Sequence, residues 1–215
     1  TSGVSIMSTQ ATVVITGATS GIGEALLQQY LANGYRVIAC GRNQEKLRQY
    51  ANAHHNVIPL AFDITDSQQI SQAANQLTDI ERIDLLLLNA GDCRYIDDVN
   101  AFDGQLFADI IAINLQSLGY LLEHFLPKVP EGGQVVFVSS SATLLPFPRA
   151  EAYGASKAGI DYLAKSLRID LTTKNIAVTL VHPGFIKTPL TDKNDFPMPF
   201  LLTSEQAASR IYNGV

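Results

Sequence analysis

Tyr153 and Lys157, in the run Tyr-Gly-Ala-Ser-Lys, lie four residues apart in a segment with helical periodicity, so both side chains project from one face. A phenol at its reference pKa of about 10 exchanges protons poorly at neutral pH, but a fixed ammonium beside it stabilises the phenolate. The pair predicts Tyr153 as an acid/base and Lys157 as its partner, although the same spacing is also found on solvated helix faces. A second run, Thr16-Gly17-Ala18-Thr19-Ser20-Gly21-Ile22-Gly23, follows a strand-like stretch and opens a helix. That context suits a phosphate-binding turn, with glycines at Gly-x-x-x-Gly-x-Gly spacing baring backbone amides at a positive helix end. It predicts Gly17, Thr19, Ser20, Gly21, Ile22 and Gly23 around a pyrophosphate.

The elements that must position these groups are legible as an alternation. Short apolar, β-branched runs at Thr12 to Thr16, Tyr35 to Gly41, Asn56 to Phe62, Asp84 to Asn89, Gln134 to Ser139 and Ile176 to His182 read as six buried strands. Segments with helical periodicity lie between them: Gly21 to Asn33, Gln44 to Ala53, Asp66 to Leu77, Asp103 to Leu126 and Ala152 to Thr173. The pattern predicts an α/β fold, a doubly wound parallel sheet of the Rossmann type in three α/β/α layers. Thr65-Asp66 and Thr203-Ser204 offer N-caps. The Pro-rich stretch Pro189 to Pro199 reads as a loop over a site.

Composition narrows the function. The chain has 215 residues, 47% of them apolar, a length that suits one domain spanning 11–215. Residues 1–10 are small and polar and read as a tag remnant, with Met7 as a candidate initiator. No run of eighteen apolar residues argues for a membrane span, and a net charge of −5 without a Lys/Arg cluster gives no footprint for nucleic acid. Cys40 and Cys93 form neither a metal-ligand spacing nor a disulfide framework, which fits a reducing cytoplasm. His54, His55, His124 and His182 read as structural histidines, so no metal site is expected.

With the glycine turn, Asn89-Ala90-Gly91 after the fourth strand, Asn114 in the long helix, Ser140 thirteen residues before Tyr153, and Pro183-Gly184 after the sixth strand, the chain resembles the short-chain dehydrogenase/reductases from Ala11 onward. The resemblance implies a catalytic tetrad of Ser140, Tyr153, Lys157 and Asn114. In a hydride transfer to a carbonyl, negative charge develops on the substrate oxygen. Tyr153 would deliver the proton, Ser140 would hold the oxygen, Lys157 would steady the phenolate and contact the nicotinamide ribose, and Asn114 would order a water behind Lys157. Ser139, Ser140 and Ser141 are consecutive and any could face the site; the offset to Tyr153 selects the middle one.

The resemblance also places cofactor contacts at Asn89, Ala90, Gly91, Pro183, Gly184, Ile186 and Thr188, and an adenine contact at Asp63-Ile64, where a turn or helix cap is the plain alternative. The second strand ends Gly41-Arg42-Asn43, where the adenosine ribose is read. Gly41 stands where NAD-preferring relatives carry Asp, and Arg42 can present a charged fork to a 2′-phosphate, so NADP(H) is favoured over NAD(H). The expected function is interconversion of an alcohol and a ketone or aldehyde, on a small-molecule substrate. A catalytically idle NADP(H)-binding sensor is the alternative. A sugar-nucleotide epimerase shares the Tyr-x-x-x-Lys pair but needs a larger C-terminal domain.

Residues 185–202 are expected to form a substrate lid, with Phe196, Met198 and Phe200 lining an apolar pocket. The resemblance further implies a homodimer or homotetramer assembled through the helices at Asp103 to Leu126 and Ala152 to Thr173, whose Leu118, Leu121, Leu122, Ala158, Tyr162 and Leu163 are mostly expected in the core. Relatives continue into a further strand after the helix at Ser204 to Tyr212. Asp92, directly after Gly91, reads as a solvated loop residue or as a carboxylate at the mouth of the site that would select a polar or cationic substrate.

Overall fold

A computed structural model describes residues 10–187 and 201–215. The N-terminal nine residues, Thr188, and Phe196, Met198 and Phe200 of the expected lid lie outside the described residues. In chain order the elements are β1 (Thr12–Thr16), α1 (Gly21–Ala32), β2 (Arg36–Gly41), α2 (Gln44–Ala53), β3 (Val57–Ala61), α3 (Ser67–Asn75), β4 (Leu85–Leu88), α4 (Gly104–Ile111), α5 (Ser117–Phe125), β5 (Gln134–Val138), α6 (Glu151–Thr172), β6 (Ala177–Val181), β7 (Ile186–Lys187), β8 (Leu202–Thr203) and α7 (Ser204–Gly214).

The first strand, Thr-Val-Val-Ile-Thr, is buried at every residue, as a strand covered on both faces must be. It sits inside a six-stranded parallel sheet of order β3-β2-β1-β4-β5-β6. Alternate residues serve opposite layers. Val13, Ile15 and Val37 pack under α1, α2 and α7, whereas Val14 and Ile38 pack under α3, α5 and α6. Full burial of each such side chain contributes about 1.5–3 kcal/mol, so this packing, more than intrinsic propensity, holds the short helices in place. The chain leaves β1 toward β2 on one side and later enters β4 on the other. That reversal opens a crevice beyond the C-terminal ends of β1 and β4, the place where such sheets bind ligands.

Two helix starts follow the expected caps. Asp66 accepts from the amides of Gln68 and Gln69 at the head of α3, and Thr203 forms a reciprocal capping box with Gln206 at α7. The sequence predicts one helix over Asp103 to Leu126, but the structure interrupts it. Between α4 and α5 the backbone widens into a π-helical turn, Ala112–Gln116, which carries the fully buried Asn114. Such turns redirect a side chain that a regular helix would aim elsewhere. The β7–β8 ladder, pairing Ile186 with Leu202 and Lys187 with Thr203, is also absent from the sequence reading, because two-residue strands leave no periodicity to detect.

Leu118 and Leu121 are buried, and Leu122 and Leu163 pack against the core. Ala158 and Tyr162 are corrections, since both are exposed and Tyr162 is 79% exposed. They sit on the outer face of α6, whose inner face is set instead by Ile160 and Ala164. The run Gly104–Lys128 is long and apolar enough by composition to cross a membrane. In this fold it lies in a helical layer, with Leu118, Leu121 and Phe125 in the core.

Candidate active site

The phosphate-binding turn is fixed at both ends before any ligand arrives. Thr16 Oγ1 accepts from the amides of Asn89 (3.0 Å) and Ala90 (3.1 Å), tying the end of β1 to the end of β4. Asn89 Nδ2 returns a bond to Thr16 O at 3.2 Å, and Ala18 N donates to Cys40 O at 3.0 Å. Gly17 adopts the left-handed region at φ 69°. A Cβ on Gly23 would lie 2.0 Å from Gly17 O, so helix α1 reaches the turn only because both positions are glycine. Ser20 occupies the N-cap of α1, yet its side chain caps no amide. The first-turn amides and the positive end of the helix dipole are therefore left for an anion.

A cleft of about 710 Å³ runs from this turn along the sheet edge, and most of the predicted residues line it. At the turn these are Gly17, Thr19, Ser20, Gly21 and Ile22, with Gly23 packed behind. Arg42, Asp63 and Ile64 line the far end, and Asn89, Ala90 and Gly91 form the floor. Asp63 accepts from both Thr65 N (2.9 Å) and Thr65 Oγ1 (2.7 Å). These bonds, led by the backbone one, hold its carboxyl below the usual carboxylate range. Asp63 therefore shapes the turn, whereas Asp66 caps the helix. Pro183, Gly184 and Ile186 close the opposite wall, which is joined to the 3-10 turn Ser141–Thr143 by the bond from Ser141 N to Pro183 O (2.9 Å). Thr188 lies outside the described residues.

The proton-handling groups meet at the other end of the cleft. Ser140 hydrogen-bonds Tyr153, while Ser139 turns away and donates to Asp161 Oδ1 at 2.6 Å. The backbone alternation at the end of β5 thus separates the two serines. Lys157 is buried on the same face of α6, its Nζ donating to Val138 O at 3.1 Å and lying 5.8 Å from the centre of the Tyr153 ring. Burial pushes the Tyr153 phenol up to about 12, against the Ser140 hydrogen bond. Burial also brings the Lys157 ammonium down to about 8, with Cys93 and Asp161 pulling the other way. The expected lowering of the phenol by its neighbouring ammonium is outweighed here, because both groups are buried and Nζ is committed to a carbonyl.

Asn114 sits behind this pair and lines none of the cleft. Its Oδ1 accepts from Asp92 N (2.8 Å), and its Nδ2 donates to Asp92 O (2.9 Å) and Ser156 Oγ (2.9 Å). The π-helical turn thereby clamps the loop after β4 to α6. Asn114 thus serves the neighbouring loop and α6 rather than backbone groups of its own helix.

Asp161 and its pairing with His182 escape the sequence reading, whereas the loops at Asp92 to Asn100 and Leu144 to Arg149, which the sequence marks as shaping the pocket, do supply lining residues. Asp161, one turn beyond Lys157, is held below its ordinary value: burial pushes it up, but hydrogen bonds from Ser139 and His182 prevail. His182 Nε2 lies 2.8 Å from Asp161 Oδ2, so this histidine is structurally satisfied. The four-residue offset from Lys157 to Asp161 was an available signal; the His182 partnership was not, since the two lie on different elements. Cys93, Tyr95, Leu145 and Phe147 also line the cleft. Asp92 lines it too, but its Oδ2 is 3.2 Å from Arg94 Nε, so an arginine already answers the carboxylate expected to meet a cationic substrate.

The family model described as short chain dehydrogenase matches residues 11–197. A serine 3-dehydrogenase of Rhizobium radiobacter is 34% identical over 213 residues, covering 95% of this chain and 81% of the relative. A probable NADP-dependent dehydrogenase of Haemophilus influenzae is 31% identical over 208 residues, covering 95% and 81%. The solved structure of ElxO with NADP bound aligns with a TM-score of 0.85 at 26% identity, covering 95% of this chain and 90% of that one.

Proposed function

The chain belongs to the short-chain dehydrogenase family, and from that premise we propose that it is an NADP(H)-dependent oxidoreductase interconverting an alcohol and a ketone or aldehyde. The observation that carries the reading is convergence: Ser140, Tyr153 and Lys157 open onto the same cleft as the uncapped N-terminus of α1. The cleft fits a dinucleotide, with free helix amides for a pyrophosphate, Arg42 and Asp63 at the adenosine end, and open space at Gly184, where a Cβ would meet nothing within 4 Å. When bound there, NADPH would supply the hydride, a proton with two electrons, to the carbonyl carbon.

The residues of this chain do the rest. Ser140 holds the carbonyl oxygen beside the Tyr153 hydroxyl, and Tyr153 gives that oxygen its proton as charge develops there. Lys157 keeps a positive charge behind the ring, and Asn114 fixes the loop that bounds the site. In the opposite direction Tyr153 takes the proton back. Outer-face residues of α6 such as Tyr162 and Ile169 suit a homodimer or homotetramer. Cys40 and Cys93, both free, suit a reducing cytoplasm.

NADP(H) preference rests on Arg42 and on the lack of a carboxylate at Gly41, in keeping with the NADP in the names of two similar proteins. Parallel fluorescence titrations with NADPH and NADH test it. The wild type is expected to bind NADPH more tightly, and Arg42→Ala to weaken NADPH about 10- to 100-fold by removing a charge-assisted contact, leaving NADH within about twofold. Tighter binding of NADH by the wild type would overturn the assignment.

The pKa values also set a pH dependence. With Tyr153 near 12, the phenol that donates a proton is present across the neutral range. Carbonyl reduction is therefore expected to be flat from about pH 6 to 7.5 and to fall above about 8 as Lys157 loses its proton. Alcohol oxidation needs the phenolate, so it should climb with pH. Initial rates in both directions give the profile, and oxidation that is faster at pH 6 than at pH 9 contradicts it.

A further inference from the structure

The wall of the cleft beyond Ser140 and Tyr153 is built from two loops locked into one surface. Tyr95 and Phe147 meet edge to face, with ring centres 6.3 Å apart at 63°, and Leu145 lines the cleft beside them while 76% exposed. The Tyr95 hydroxyl is taken by Cys93, so the ring itself is what Tyr95 offers to the cleft. Arg149 braces the ring from outside, with its Cζ 5.5 Å from the ring centre and its guanidinium 2.5 Å from Asp97. The bond from Ile96 N to Arg149 O (2.9 Å) stitches the loops together. Arg149 holds this position at φ 70°, a left-handed conformation that costs an arginine energy and persists only where the surroundings enforce it.

The charges of the described lining lie elsewhere. Arg42 and Asp63 are at the adenosine end, Asp92 is answered by Arg94, and Lys157 is buried behind Tyr153 with its Nζ on Val138 O. Among the described residues none that lines this wall is cationic, and Arg149 behind it is already paired with Asp97, so seating a carboxylate against the three apolar side chains would cost its solvation.

We propose that Tyr95, Leu145 and Phe147 form the subsite for the non-reacting arm of the substrate, and that this arm is uncharged and apolar, an aryl or alkyl group next to the reacting carbonyl. The assignment rests on the oxidoreductase reading above. It favours neutral aryl or alkyl ketones over oxo acids and other carbonyl compounds with an anionic arm, and it makes the two loops the seat of that selection.

The test compares acetophenone with acetoacetate as substrates of the purified full chain with NADPH. The expected kcat/KM for acetophenone is at least about tenfold higher, the discrimination a desolvated apolar pocket supplies. Phe147→Ala and Tyr95→Ala should lower it about tenfold, mainly through KM, without changing NADPH affinity. Leu145→Arg should reverse the order by giving acetoacetate a cation, a gain that mere damage to the loop does not produce. Preference for acetoacetate by the wild type, or indifference to all three substitutions, overturns the subsite. If neither ketone consumes NADPH, the oxidoreductase reading fails, and calorimetry of acetophenone on the NADP⁺-loaded protein judges the subsite by itself: binding lost in Phe147→Ala supports it and no binding overturns it.

Discussion

Tyr153→Phe is expected to lower carbonyl turnover about a thousandfold while NADPH still binds with an affinity within about threefold of wild type. The substitution removes one oxygen and keeps the ring. The ring keeps its packing, since only the hydroxyl oxygen is removed, so neither α6 nor the Lys157 bond to Val138 O has cause to move. What disappears is the hydroxyl that shares a hydrogen bond with Ser140. A positioned proton donor contributes roughly 10²- to 10⁴-fold, and Lys157, its Nζ committed to Val138 O behind the ring, is not placed to replace it. Steady-state turnover and a fluorescence titration on the same preparation separate the two effects. Undiminished turnover would falsify the role of Tyr153 as the acid, whereas a wild type that binds NADPH without any turnover would leave the chain as a cofactor-binding sensor; loss of NADPH binding in the variant would mean that Tyr153 acts through the structure of the site.

What the sequence carried, and what it could not, divides along physical lines. Strands such as Thr12–Thr16 were legible because a strand buried on both faces must be apolar throughout. Tyr153 and Lys157 are legible as a pair through spacing and Ser140 joins them through the family resemblance, and the structure adds why Ser140 and not Ser139 faces Tyr153: successive residues leave the end of β5 in opposite directions. The π-helical turn at Asn114 was hidden because one extra residue in a helical turn barely disturbs hydrophobic periodicity. Tyr162 was misplaced for a related reason. The apolar positions of α6 run round more than one face, and periodicity alone cannot tell the core from an exposed stripe. The Tyr95–Phe147 wall and the Asp161–His182 pair depend on residues far apart in the chain, joined only by the folded sheet.

Gly23→Ala is the other substitution expected to have a large effect, weakening NADPH binding at least about a hundredfold and destabilising the fold by about 2–4 kcal/mol. Alanine is ordinarily the better helix residue by about 1 kcal/mol, so propensity predicts the opposite sign. Geometry decides. The new Cβ would stand 2.0 Å from Gly17 O and 2.7 Å from Asn89 Nδ2, and the first of these is backbone that cannot swing aside. Gly17 is held by its left-handed conformation, by the bond from Ala18 N to Cys40 O, and by the Thr16 bonds to Asn89 and Ala90. Relief therefore requires α1 to withdraw from the turn by more than an ångström. Hydrogen bonds to an anion tolerate a few tenths of an ångström, so the amides that would grip the pyrophosphate lose their reach. Gly119→Ala, in α5, is the control, since a Cβ there meets nothing within 4 Å. Urea unfolding and NADPH titration of both variants read the outcome. If Gly23→Ala binds NADPH like wild type, the turn is more yielding than its hydrogen bonds imply, and the pyrophosphate must be held by something other than the N-terminus of α1.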